Sequence, residues 1–146
     1  PDQGRGVIDR DAYVSDMREL FRRMVFNILI DNTDDHEKNH ALLMTDAQQY
    51  ALAPAYDVLP SGQALGFQQM RVGESEADST IENGLSMSRM FGLDKNQAVK
   101  EVRTVARVVD KWQEHFKGER VSRHDIELYE QQIDRPFLKD QRHEYT

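Results

Sequence analysis

The chain has 146 residues, 38% of them hydrophobic and 31% charged, with a formal charge of −7, which suits one modest, mostly helical domain with a real core. The acidic balance argues against broad non-specific binding to nucleic acid, because neutralising phosphates takes clustered Lys and Arg, and no run of about 18 apolar residues is present to span a membrane. The absence of cysteine excludes a disulfide framework and thiolate metal sites, and fits a reducing compartment.

Residues 1–10 read as an edge or linker, since Pro1-Asp2-Gln3-Gly4-Arg5-Gly6 has neither an initiator methionine nor an apolar signal region. Asp9 or Asp11 is then placed to cap a helix through Tyr13, Met17, Leu20, Phe21, Met24, Phe26 and Ile28, an apolar series at helical spacing. This helix is expected at the centre of the core, ending near Asp31-Asn32, where turn-forming residues replace the apolar run. Arg18, Arg22 and Arg23 read as its solvated face.

Past a polar loop, His40–Met44 and Tyr50–Ala53 are short apolar runs separated by Thr45–Gln49, the pattern of two strands joined by a turn. Pro54 and Pro60 hold the next segment extended and irregular. Residues 61–85, with Gly62, Gly66, Gly73 and Gly84 and an acidic stretch, read as a partly mobile loop with one short strand near Phe67–Val72. Ser86–Phe91 reads as a short helix stopped by Gly92. Asp94 is a good cap for a long helix from Lys95 to Phe116, with Val99, Val102, Val105, Ala106, Val109 and Trp112 on its buried face. Ser122 caps a last helix through Ile126, Leu128, Tyr129 and Ile133, which Pro136 stops, and residues 139–146 are expected as a polar, frayed tail. The domain proper is thus read as residues 11–138.

The chemistry concentrates in Asn32-Thr33-Asp34-Asp35-His36-Glu37-Lys38-Asn39, directly after the apolar end of the first helix. A rigid element that ends in dense polar chemistry is how a scaffold presents a site. Asp34 and Asn39 are five residues apart, the interval by which kinase-type phosphotransferases place an aspartate that orients and deprotonates the attacking hydroxyl and an asparagine that holds magnesium. A second carboxylate has to reach the metal from elsewhere, and Asp57 is the candidate: Asn39 enters the first strand and Asp57 follows the second, so an antiparallel return brings both to one end. Hard oxygen donors suit magnesium, which keeps several waters and uses substrate phosphates as further ligands.

Each of these residues has a plainer reading. Loop aspartates are mostly Asx-turn or helix-end residues, so Asp34 alone says little; Asn39 serves equally as a turn amide and Asp57 as a surface or capping aspartate. His36 is read as a structural histidine bracing the loop. A zinc site with His40 lacks a helix beneath the pair, thiolates and an obvious third ligand. Lys38 stands between a phosphate contact and a solvated amine, while Asp35 and Glu37 read as exposed companions. Trp112 and Phe116 are at core spacing, and His115, His124 and His143 have no assigned role.

At these residues the sequence resembles the HipA family of bacterial toxin kinases. Thr33-Asp34-Asp35-His36-Glu37-Lys38-Asn39 fits the family's Asp-x-His-x-Lys-Asn pattern and Leu52-Ala53-Pro54-Ala55-Tyr56-Asp57-Val58 its Pro-x-Tyr-Asp segment. The loop by itself also looks like that of phosphoinositide lipid kinases, and the Lys-Asn ending and the Tyr-Asp-Val segment favour HipA. The resemblance implies the C-terminal, helical lobe of a protein-kinase-like fold, mainly α with a small β-hairpin. It also implies a serine/threonine protein kinase using ATP and Mg2+, with Asp34, His36 and Lys38 in the catalytic loop and Asn39 and Asp57 as the cofactor and metal residues.

For an intact parent the resemblance further implies a cytoplasmic location, regulation by autophosphorylation and restraint by a HipB-like helix-turn-helix antitoxin, so that DNA is met only through the antitoxin. Its protein substrate is expected in the translation machinery, an aminoacyl-tRNA synthetase being the family expectation, and no membrane is involved. No glycine-rich strand-loop-strand precedes residue 34, so this stretch is expected not to transfer phosphate by itself. The alternative is a degenerate kinase or helical interaction module that binds a partner through the acidic loop Glu74–Glu82 and the helix from Lys95.

Overall fold

The computed structural model describes residues 10–146; Asp9 as a cap, and residues 1–9 of the expected linker, lie outside the described residues. The first helix, α1 (Arg10–Ile30), forms as the apolar periodicity dictates, with Asp11 inside its first turn. Its first half is amphipathic, but from Val25 onward apolar residues point almost all round, a pattern that only burial satisfies. Phe21, Val25, Ile28 and Leu29 are accordingly at most 1% exposed, and α1 lies against the hairpin and most of the other helices.

Of the basic cluster on α1, only part is solvated. Arg22 and Arg18 pair with Glu101 of the opposing helix, and the Arg23 side chain is 10% exposed, its Nη2 donating to the Ala53 carbonyl at 2.6 Å. The expected solvated face is therefore a set of ties from α1 to its neighbours, which spacing along one helix does not reveal.

The hairpin is present but shorter than the apolar runs. β1 (Leu42–Met44) pairs antiparallel with β2 (Tyr50–Leu52), Leu42 opposite Leu52 and Met44 opposite Tyr50. Two strands alone are marginal, and this pair is fastened to α1 by the Leu52 N–H donating to Asp16 Oδ2 at 2.8 Å and by the Arg23 contact.

The glycine-rich stretch has no strand between Phe67 and Val72; two isolated bridges, Phe67 with Asp78 and Gly73 with Glu76, take its place. It is ordered by a helix that composition did not suggest, α2 (Ile81–Ser86), whose N-cap Thr80 accepts from the Asn83 N–H. The buried Asn83 carboxamide gathers the loop, accepting from the Ser75 N–H at 2.8 Å and donating to the carbonyls of Glu76 and Asp78. Gly73 packs so closely here that a Cβ would lie 1.9 Å from the Asn83 carbonyl oxygen.

A 3-10 turn over Ser88–Phe91 ends at Gly92, in the left-handed region at φ 73°. Asp94 then caps α3 (Lys95–Asp110) in a reciprocal box with Gln97. The expected single helix to Phe116 breaks at Lys111, and α4 (Trp112–Gly118) continues it at an offset. Phe116 stands edge-to-face against Trp112, one turn earlier on α4, and against Tyr129 on α5 (Arg123–Ile133), whose cap is Ser122.

Pro136 starts a helix rather than ending the fold. It occupies the first turn of α6 (Pro136–His143), where its fixed φ and missing N–H cost nothing. The expected frayed tail is in large part this helix: Leu138, Gln141 and Arg142 are buried. Arg142 is 2% exposed and donates to Asp110, to Asp134 and to the Ile133 carbonyl. Asp134 also receives Trp112 Nε1 and Gln113 Nε2, so the corner between α5 and α6 is a polar knot.

Burial alone pushes the Asp110 carboxyl up, but its bonds from Arg142 and His143 outweigh this and hold it below its ordinary value of 3.8. A carboxylate lowered on folding stabilises the fold above its unfolded pKa, and that contribution is lost as pH falls through the folded value. Asp110→Asn is therefore expected to lower the urea midpoint at neutral pH and to flatten its decline below about pH 4, as followed by circular dichroism across a pH series.

Candidate active site

The site begins where α1 ends. The Asn32 N–H donates to the Asn27 carbonyl at 2.9 Å and its Nδ2 to Asn27 Oδ1 at 3.0 Å, closing the last turn. Asp31 adopts the left-handed conformation at φ 60°, which a short carbonyl side chain tolerates better than a bulky one. The chain then leaves the helix through buried Asn32 and Thr33 and surfaces at Asp34, which is exposed.

From His36 the loop turns back in a 3-10 turn, Glu37–Asn39. Asn39 faces inward at 6% exposed and accepts at Oδ1 from the His36 N–H, at 3.1 Å. Its Nδ2 donates to Asp57 Oδ2 at 3.3 Å. The two residues that the hairpin geometry was expected to join are thus in contact. A second stitch runs beside the first, with Tyr56 Oη donating to the Lys38 carbonyl. Asp57 itself is exposed and left-handed at φ 56°, a conformation that costs energy for a non-glycine residue and that clusters at functional sites.

The remaining loop residues sort clearly. Asp35 is not an exposed companion: its side chain is 12% exposed and both carboxylate oxygens meet His40 Nε2, at 2.9 and 3.0 Å. Glu37 and Lys38 are exposed. His36 contributes its main-chain N–H, while its ring Nδ1 is buried without a partner. An open cavity of about 790 Å3 runs beside the loop, reached by Asp35, Asn39, His40 and Tyr56 at one end and by Val109 and Trp112 farther off. Its size is that of a ligand cleft.

The donor set at Asn39 and Asp57 fits a hard divalent ion. Asp57 presents an exposed carboxylate, and Asn39 Oδ1 accepts one hydrogen bond where a carbonyl oxygen can accept two. Two oxygen-bearing side chains leave room for the waters and phosphates that magnesium keeps. Among the described residues no group of three or more His, Cys, Asp or Glu side chains gathers as a metal site.

Three residues that sequence reading missed support the loop. The Asp31 carbonyl accepts from the Ser61 N–H at 2.9 Å, Ser61 Oγ accepts from the Thr33 N–H at 2.7 Å, and Asp31 Oδ1 pairs with Arg135 at 3.3 Å. The one signal was Asp31 itself, a carboxylate closing a solidly apolar run. Nothing in the sequence marks Ser61 or Arg135 as its partners.

Because buried Asn39 accepts the His36 N–H, Asn39→Ala strands that half-buried donor, whereas the exposed Asp57 carboxylate finds water instead. The variant is expected to lose about 1–2 kcal/mol of stability, read from urea midpoints, and to exchange the His36 amide faster in hydrogen–deuterium exchange.

A protein described as "Putative kinase Y4dM" from Sinorhizobium fredii (strain NBRC 101917 / NGR234) is 43% identical over 53 residues, a stretch that is 36% of this chain and 13% of that relative, so the match spans a small part of the relative's length. The family model of the HipA-like C-terminal domain matches residues 5–112, which takes in α1, the polar loop, the hairpin and α3. The chain belongs to the family of HipA-like C-terminal domains.

Proposed function

We propose that this chain is the C-terminal catalytic lobe of a HipA-like serine/threonine protein kinase, which transfers the γ-phosphate of ATP to a protein hydroxyl. The observation that carries the reading is the 3.3 Å contact between Asn39 and Asp57, which joins the two motifs at the mouth of a loop on which Asp34 is exposed. Asp34 orients the acceptor hydroxyl and takes its proton. Asn39 and Asp57 would hold Mg2+, which would supply charge neutralisation on the phosphates of ATP. The His36 N–H fixes the Asn39 carboxamide, and Lys38, which is exposed, would meet phosphate in this reading.

Positioning and charge stabilisation do most of the work in phosphoryl transfer, so Asp34 needs no unusual acidity. As in the family, the intact protein would be restrained by a HipB-like helix-turn-helix antitoxin and act on a protein of the translation machinery, an aminoacyl-tRNA synthetase being the leading candidate. Among the described residues no helix is long and apolar enough to cross a membrane.

Asp34→Asn in the full-length protein is expected to cut phosphotransfer at least about 100-fold while antitoxin binding and circular dichroism stay unchanged. Unaltered phosphorylation by that variant would leave an interaction module as the better account. Metal binding is expected to be weak without nucleotide, since only two protein ligands are available. In an Mg2+ titration followed by NMR, amides at 36–40 and 56–58 should shift at high metal concentration, and Asp57→Asn should abolish the shifts.

A further inference from the structure

We propose that Arg135, on the far side of the molecule in sequence, is a positioning residue for the catalytic loop, acting through Asp31; this rests on the phosphotransfer reading above. Asp31 is buried, its side chain only 4% exposed, and it is held left-handed at the exit of α1. Such a carboxylate needs partners, and it has two, with a third contact made by the main-chain carbonyl of the same residue. Its Oδ1 meets Arg135 Nη2 at 3.3 Å, its Oδ2 accepts from the Ala64 N–H at 3.2 Å, and its carbonyl accepts from the Ser61 N–H. Ser61 then passes the constraint on, because its Oγ receives the Thr33 N–H at 2.7 Å. Thr33 is 1% exposed and immediately precedes Asp34.

The chain of contacts runs from Arg135 to Asp31, to Ser61, to Thr33 and so to the backbone that aims Asp34. Its outer end is rigid. Arg135 lies between Asp134, which is locked by Arg142, Trp112 and Gln113, and Pro136 at the start of α6. The Arg135 carbonyl accepts the Lys139 N–H at 2.9 Å, tying the residue into the first turn of that helix. A single guanidinium therefore couples the corner between α5 and α6 to the loop that carries the base. Ser61, on the segment after Asp57, is held in the same network, so both halves of the candidate metal site are referenced to one anchor.

The test uses Arg135→Ala and Arg135→Lys in the full-length protein, with two readouts. Hydrogen–deuterium exchange at the Thr33 and Ala64 amides should accelerate in Arg135→Ala, with the α3 amides unchanged. The phosphotransfer kcat should fall about 100-fold, the scale for a small misplacement of a reacting group, while KM for ATP moves less than about twofold. Arg135→Lys should recover part of kcat, as a point charge lacking the guanidinium fork does. Asp31→Asn combined with Arg135→Ala should be no worse than either alone. Unchanged exchange, an unchanged kcat in a folded variant, or additive losses in the double variant overturn the proposal. If Asp34→Asn keeps full activity, the phosphotransfer reading falls instead, and exchange at Thr33 still decides whether Arg135 orders the loop.

Discussion

The burial of α1 is the constraint on which everything else depends. Its C-terminal half is apolar on nearly every side, so other elements have to enclose it, and α2, α3, the hairpin and α6 do so. Enclosure brings a difficulty at the exit. The last carbonyls of a helix need partners, and here they end in a buried place where water cannot serve. The main-chain N–H groups of Asp31 and Asn32 turn back onto the Ile28 and Asn27 carbonyls and the Ser61 N–H reaches the Asp31 carbonyl, while the buried side chains of Asn27, Asn32 and Asp31 find polar partners of their own. The polar exit is what fixes the start of the loop, and the loop's aim is inherited from the core.

The loop and the segment around Asp57 are held to each other by side chain and main chain alternately. Asn39 reaches Asp57, and Tyr56 reaches the Lys38 carbonyl. The β-hairpin is short and its first strand is exposed, so it lies outside the core. Its job is to return the chain to the point from which it left. A half-buried pairing of Asp35 with His40 underlies the turn, keeping that carboxylate engaged within the loop.

Much of this was legible in the sequence, for local reasons. The period of α1, the caps at Asp94 and Ser122 and the glycine stop at Gly92 are decided within a few residues, and the chain says so. The meeting of Asn39 and Asp57 could be foreseen because a hairpin leaves little choice of geometry. What was missed is non-local or ambiguous. Pro136 is as good a helix start as a helix stop, and the polar composition after it hid the burial of Leu138 and Arg142. The break at Lys111 has no glycine or proline to announce it. Arg18, Arg22 and Arg23 look solvated until Glu101 and the Ala53 carbonyl are brought opposite them. Arg135 and Asp31 are joined only by the folded chain.

Gly73 carries a consequence of a different kind. The space where a side chain would begin is already filled by the main chain of residue 83, so even the smallest replacement must push α2 off the loop that it fastens. Mutational drift at this position is closed in a way that hydrophobic positions nearby are not, since those can exchange one aliphatic shape for another. The acidic loop can therefore diversify in charge and length on its outer side while its route past α2 stays pinned at a single atom-sized gap.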